Sequence, residues 1–280
     1  IAFYESSDVT VTINKYSDFI DEVLGFAWDE FKWNENDKSW RKSRISLLAV
    51  GGYGRKELLP HSDIDILILL ERDDVHLNKE NIQSFVALLW DVGLKVGHSV
   101  RSLRDCKREA LSDVTSLTSM MEARVIRGKL VLLEKLNASL HPKKLWHKKK
   151  FYLAKASEQK IRHEKSDYTE YSLEPNIKTS PGGLRDIQTL QWIAIRTFGI
   201  KDFRELVAKQ IISGFEHDSL VEARAFLWKV RFGLHIISGR DENRLLFSHQ
   251  QTLAKHMSYR DKDQLAVEQF MKEYYIFAST

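Results

Sequence analysis

The sequence predicts an α+β fold: a small mixed sheet with flanking helices, followed by an all-helical half. Three short apolar runs, Arg44–Val50, Ile64–Leu70 and Leu94–Arg101, have the length and composition of buried strands. Beyond about Arg101 no such run is convincing, and apolar residues recur instead at helical spacing. Four prolines in 280 residues, with no Gly/Ser-rich or Pro-rich tract, argue against a long disordered linker.

The elements follow in order. Tyr16–Trp33 places Phe19, Ile20, Val23, Leu24, Ala27 and Phe31 on a helical repeat. Arg44–Val50 ends in glycines, as a strand entering a turn does. Pro60-His61-Ser62 is turn-like and leads into the strand Ile64–Leu70. Asn78–Trp90 reads as a helix with Asn78 as its cap, and Leu94–Arg101 as the third strand. Helical patterns then cover Ser112–Arg127, Lys129–Leu140, Trp146–Lys165, Gly183–Phe198, Phe215–Ser238 and Asp263–Phe277. A boundary near His141-Pro142 gives domains 1–141 and 142–280, the second containing an ordered loop at Glu174–Gly183.

Composition narrows the class. Hydrophobic residues make up 43% and charged residues 29%, enough for a real core. Lys plus Arg number 43 against 39 Asp plus Glu, a net charge of +4. That excess is too small to argue for a duplex-binding protein, so no nucleic-acid partner is expected, but it suits a polyanionic nucleotide. The single cysteine, Cys106, can form no internal disulfide and points to a reducing compartment. No apolar run is long enough to span a bilayer and no signal peptide opens the chain, so a cytoplasmic protein with no membrane partner is expected. A start at Ile1 suggests a shortened chain.

The chemistry is concentrated between Leu48 and Leu70. A strand ends in Gly51-Gly52, a short helical turn follows, and a second strand presents Asp63 and Asp65. Side chains at i and i+2 share one face of a strand, so the two carboxylates lie together. Two like charges held that close need a compensating cation, and magnesium suits carboxylate oxygens while drawing phosphates into its shell. Gly51 and Gly52 let the backbone approach a phosphate and offer it their amides. The stretch matches neither the P-loop nor the dinucleotide glycine spacing.

Gly-Gly, ten residues, then Asp-x-Asp within an apolar strand resembles the DNA polymerase β nucleotidyltransferase superfamily, whose members transfer a nucleoside monophosphate and release pyrophosphate. The longer segment Gly51–Leu58 with Ser62–Asp65 resembles, more narrowly, the bacterial PII uridylyltransferase/uridylyl-removing enzymes. Leu89–Arg101, Leu173–Ile187 and Asn243–Phe247 agree with that family. The resemblance implies a polymerase-β-like sheet domain followed by a helical domain closing the nucleotide cleft. It implies transfer of UMP from UTP to a tyrosine hydroxyl of the PII signal protein, with magnesium, or manganese in its place, on Asp63 and Asp65. Gly51 and Gly52, with Arg55 nearby, would hold the β- and γ-phosphates, and Ser62 would donate to a phosphate oxygen. Lys178 and Arg185, in the Glu174–Asp186 segment, would face phosphate. Family members continue with an HD hydrolase domain and glutamine-sensing ACT domains, neither expected within these 280 residues.

Many superfamily members carry a third carboxylate on the next strand, often as the base. Here that strand holds no acid. Asp91, Glu122 and His98 lie near it without occupying the expected position, so the base is unassigned. His98 also reads as a structural histidine, and Lys178 and Arg185 as packing residues. Arg240 and Arg244 beside Asp241 and Glu242 read as an ion-pair network, and the lysines of Lys143–Lys150 as a solvated face. His217-Asp218 stands alone and is not expected to hold a metal. Two other functions stay open: a protein adenylyltransferase of the same superfamily, and a catalytically silent nucleotide-binding module.

Overall fold

The computed structural model describes residues 8–33, 44–73, 75–165 and 172–279. It divides into two compact units, one formed by Ile13–His147, the other by Lys148 onward together with the first turn of the N-terminal helix. The division falls a little beyond the expected His141-Pro142 boundary. Leu145 is buried, and Trp146 donates from Nε1 to the Ala110 carbonyl at 2.6 Å, tying this stretch to the first unit.

In the first unit, α1 (Val9–Asp29) leads to β1 (Ile45–Ala49), the one-turn α2 (Gly51–Gly54) and β2 (Ile64–Leu70). A 3-10 turn precedes α3 (Lys79–Asp91), then come β3 (Val96–Ser102), α4 (Leu103–Ser112), α5 (Val114–Met121), β4 (Arg124–Gly128) and α6 (Leu130–Ser139). The sheet order is β3-β2-β1-β4, with β1 antiparallel to both its neighbours and β2 parallel to β3. The parallel pair requires a crossover, which α3 supplies.

Alternation sorts the strands into two faces. Ile45, Leu47 and Ala49 of β1, with Ile64, Ile66, Ile68 and Leu70 of β2, form one core with Ile20, Leu24 and Trp28 of α1 and Ile82, Phe85 and Leu89 of α3. Leu48, Leu67 and Leu69 alternate with these and are also buried. On that side α6 packs on β1 and β4, and α4 on β3. β2 is therefore apolar on both faces except at its first turn outward, where Asp65 is exposed between buried Ile64 and Ile66.

The mixed sheet and the three expected strands are present, but β4 corrects the expectation that strands stop at Arg101 and that Ser112–Arg127 is one helix. Asp113 caps α5, accepting from the amides of Thr115 at 3.0 Å and Ser116 at 2.7 Å, and the helix stops at Met121. The chain then turns into β4, where Arg124 pairs with Asp21 and Arg127 with Asp29. α4 was missed as well; Ser102 and Asp105 form a capping box at its start. Asn78 stands at the cap position of α3, but its side chain makes no capping bond.

Cys106 of α4 is completely buried, and burial pushes its thiol up to about 12. We expect it to resist alkylation at pH 8 in the native protein and to label fully in denaturant, as read by intact mass. Fast native labelling would contradict this packing.

The second unit is helical among the described residues: α7 (Lys148–Glu164), α8 (Leu184–Phe198), α9 (Phe203–Ala208), α10 (Gly214–Ser238), α11 (Phe247–His256) and α12 (Ala266–Ala278). The short helices α9 and α11 were not expected. α8 and α10 both end on a left-handed glycine, Gly199 and Gly239. No helix among the described residues is long and apolar enough to cross a membrane.

Candidate active site

The site forms where β1 hands over to β2. Val50 donates to the Asp65 carbonyl at 3.0 Å, fixing the turn against the second strand. The chain then enters α2 through Gly51 at φ +57, a conformation that L side chains rarely adopt. A Cβ on Gly51 would lie 3.5 Å from Asp65 Oδ2 and 3.6 Å from Ser119 Oγ, so the glycine backbone borders the carboxylate directly. As the opening amides of a helical turn, Gly51 and Gly52 have no carbonyl of that turn to bond. Gly54 is needed for another reason, since a Cβ there would sit 2.3 Å from the Glu122 carbonyl oxygen.

His61, at φ 62, turns the chain into Ser62 and Asp63, and Asp63 is exposed. Asp65 lies on the face opposite the α1–α3 core, and Asp63 stands two residues earlier, just before β2 begins. Ser62 Oγ is buried and has no hydrogen-bond partner among the described residues. A buried hydroxyl left without a partner is costly, and a phosphate or water oxygen would satisfy it. The paired carboxylates supply only oxygen donors, which suits magnesium or manganese rather than a thiol- or imidazole-seeking ion.

A cleft of about 310 Å³ opens from Asp65, walled by β2, β3 and α5. The parallel register pairs Asp65 with Gly97, Leu67 with Ser99 and Leu69 with Arg101, so these three β3 residues face the cleft. A Cβ at Gly97 would come within 2.6 Å of Asp65 Oδ1. The place from which an acid on β3 would face Asp65 is therefore held by a glycine, and the carboxylate fills the space. His98 belongs to the other face, in register with Ile66 and with its ring edge-on to Trp90 at 5.5 Å. Glu122 lies just past α5 rather than within a helix, and its side chain is buried.

Arg55 is held inward. It donates from Nε to Glu57 at 2.8 Å and from Nη1 to Glu122 at 2.5 Å. Burial opposes its charge, but the two carboxylates outweigh this and keep the guanidinium more firmly protonated than usual. Tyr53 is braced nearby, its hydroxyl donating to Asp21 at 2.6 Å.

Lys178 and Arg185 belong to a network within the second unit. Asn176 Oδ1 accepts from the amides of Lys178 and Thr179, both at 3.0 Å, shaping the loop after Glu174. That loop bridges to the sequence-distant Asn243–Leu245: Ile177 donates to the Asn243 carbonyl, and Leu245 to that of Pro175, both at 2.8 Å. Asp186 anchors the loop's other end, accepting from Gly182 N at 2.9 Å and Gln159 Nε2 at 2.8 Å, and contacting Arg162 and His163 of α7. Arg185 lies over the Trp192 ring at 5.3 Å, beside the buried ammonium of Lys155 at 4.2 Å from the same ring. Arg231 and His235 lie 3.1 and 3.0 Å from the Asp241 carboxylate, and the His235 contact, then Arg231, hold that group well below the usual carboxylate range. Arg240 pairs with Glu242, while Arg244 reaches Glu174. His217 contacts only Asp218 among metal-ligating side chains, and no group of three such residues occurs among the described residues.

The glycine turn that ends β1 borders Asp65 of β2, and this whole region lies within residues 32–110, which match the nucleotidyltransferase domain family. Residues 150–280 match the GlnD PII-uridylyltransferase family, and proteins named bifunctional uridylyltransferase/uridylyl-removing enzyme are similar to the chain along nearly its whole length. The enzyme of that name from Stutzerimonas stutzeri is 47% identical over 274 residues, covering 98% of this chain. Those from Pseudomonas syringae pv. tomato and Azotobacter vinelandii are each 46% identical over the same length. The chain spans about 30% of the length of these relatives.

Proposed function

We propose that this chain transfers UMP from UTP to a tyrosine hydroxyl of the PII nitrogen-regulatory protein in the cytoplasm. The observation that supports the reading is the position of Asp65 beside the glycine turn at Gly51, with Asp63 exposed two residues earlier, just before β2 begins. In the reaction the tyrosine oxygen attacks the α-phosphorus in line. The new O–P bond replaces the bond to the β-phosphate, pyrophosphate leaves, and the hydroxyl proton passes to solvent. We assign that proton to solvent because Gly97 stands where an acid would face Asp65 from β3.

Asp63 and Asp65 would hold magnesium, or manganese in its place, through carboxylate oxygens. When bound, the ion supplies positive charge to the triphosphate oxygens. The amides of Gly51 and Gly52 bind the outer phosphates, and the Ser62 hydroxyl, already buried without a partner, donates to a phosphate oxygen. Arg55, engaged by Glu57 and Glu122, stiffens the turn that presents those amides.

The test is donor choice. With magnesium and the host's PII protein, α-labelled UTP is expected to label PII and α-labelled ATP is not. Labelling from ATP alone would assign the adenylyltransferase reaction instead. Nucleotide binding without pyrophosphate release would leave a binding module.

A further inference from the structure

We propose that Arg101 is the cation that meets the substrate phosphates in the Asp65 cleft, an inference that rests on the nucleotidyl-transfer reading above. The sequence offered Arg55 for this work, but its guanidinium is bound by two carboxylates at 2.8 and 2.5 Å, with both side-chain partners nearly buried. Arg101 stands differently. It pairs in register with Leu69, on the strand face that carries Asp65, and it lines the same cleft. Glu109 is its nearest carboxylate at 4.0 Å, the outer limit of an ion pair, and the arginine side chain keeps 29% of its surface exposed.

The rest of the wall supports an anion. Ser99 and Ser119 line it with hydroxyls that make no hydrogen bond among the described residues. Asp65 is the cleft's acid and Arg101 its cation. Along a strand, four residues separate Gly97, level with Asp65, from Arg101, roughly 13 Å of backbone. That spacing along the cleft wall is on the scale of a polyphosphate, with Asp65 toward one end and Arg101 toward the other. Arg101 then stabilises charge on the departing pyrophosphate through the two-pronged geometry that guanidinium offers phosphate.

The experiment compares the wild-type chain with Arg101→Met, Arg101→Lys and Glu109→Gln. Affinity for inorganic pyrophosphate with magnesium is measured by calorimetry, and KM and kcat for UTP in PII labelling. We expect Arg101→Met to weaken pyrophosphate binding and raise KM for UTP by about tenfold or more, with Arg101→Lys in between. Glu109→Gln should leave both unchanged or tighten them, since it frees the arginine. If Arg101 merely braces α4, Glu109→Gln and Arg101→Met will lower the melting temperature alike while a folded Arg101→Lys keeps wild-type affinity, and the proposal falls. It also falls if wild type labels PII and Arg101→Met matches it in KM and in pyrophosphate affinity. A wild-type chain that binds neither UTP nor pyrophosphate overturns the transfer reading itself.

Discussion

Asparagine at both Asp63 and Asp65 is expected to reduce UMP transfer to PII by roughly a thousandfold or more, with the fold intact. Both residues are exposed and asparagine keeps their shape, so no core contact is lost. What disappears is the charge that would hold magnesium against the triphosphate. Two carboxylates two residues apart repel each other without a cation, so the double variant should melt no lower than wild type in metal-free buffer. Isothermal titration should show UTP binding that depends on magnesium in wild type and not in the variant. Strong residual transfer by a folded double variant would remove these residues from the reaction.

The second large effect concerns stability. Asp186→Ala is expected to destabilise the helical unit by about 3–5 kcal/mol, because it strips the partner from the nearly buried Arg162 and from Gln159, His163 and the Gly182 amide together. The substitution should also loosen the Pro181–Asp186 segment, whose position depends on that carboxylate. Arg240→Ala is the contrast, since the arginine side chain that pairs with Glu242 is itself 67% exposed and its loss should cost at most about 1 kcal/mol. Urea unfolding of the two variants compares them directly. Equal, small effects would mean that Asp186 is not the anchor described.

The parts of this molecule legible in the sequence are those that local pattern determines. β1 and β2 are mostly apolar runs because both sheet faces are covered there, and the exposed residue that breaks β2, Asp65, marks the face left open. The glycine turn and Ser62–Asp65 were readable for the same reason: each depends on neighbours within a few residues. β4 was not, because Arg124 and Arg127 find their acids on α1, about a hundred residues earlier in the chain. Arg55 shows the same limit within the site. Its Glu57 partner lies two residues on, but Glu122 comes from beyond α5, and no local pattern shows that both carboxylates bind this guanidinium.

β3 gave a subtler miss. Reading Leu94–Arg101 for an acid finds none; reading it for parity against β2 finds Gly97, Ser99 and Arg101 in one row. That row needs the parallel register, which fixes Asp65 opposite Gly97 and sends His98 to the Trp90 side. Similarly, Leu173–Ile187 and Asn243–Phe247 stood out in the sequence as separate segments. Only the bridge between Asn176 and Arg244 shows that they build one structure.

Peptide mass spectrometry of PII reads out directly the proposed transfer of UMP onto a PII tyrosine. After incubation of the chain with UTP, magnesium and PII, we predict a tyrosine-containing PII peptide heavier by one uridylyl group, absent when Asp63 and Asp65 are both asparagine. PII recovered unmodified while the wild-type chain consumes UTP, or modified on a residue other than tyrosine, would contradict the account.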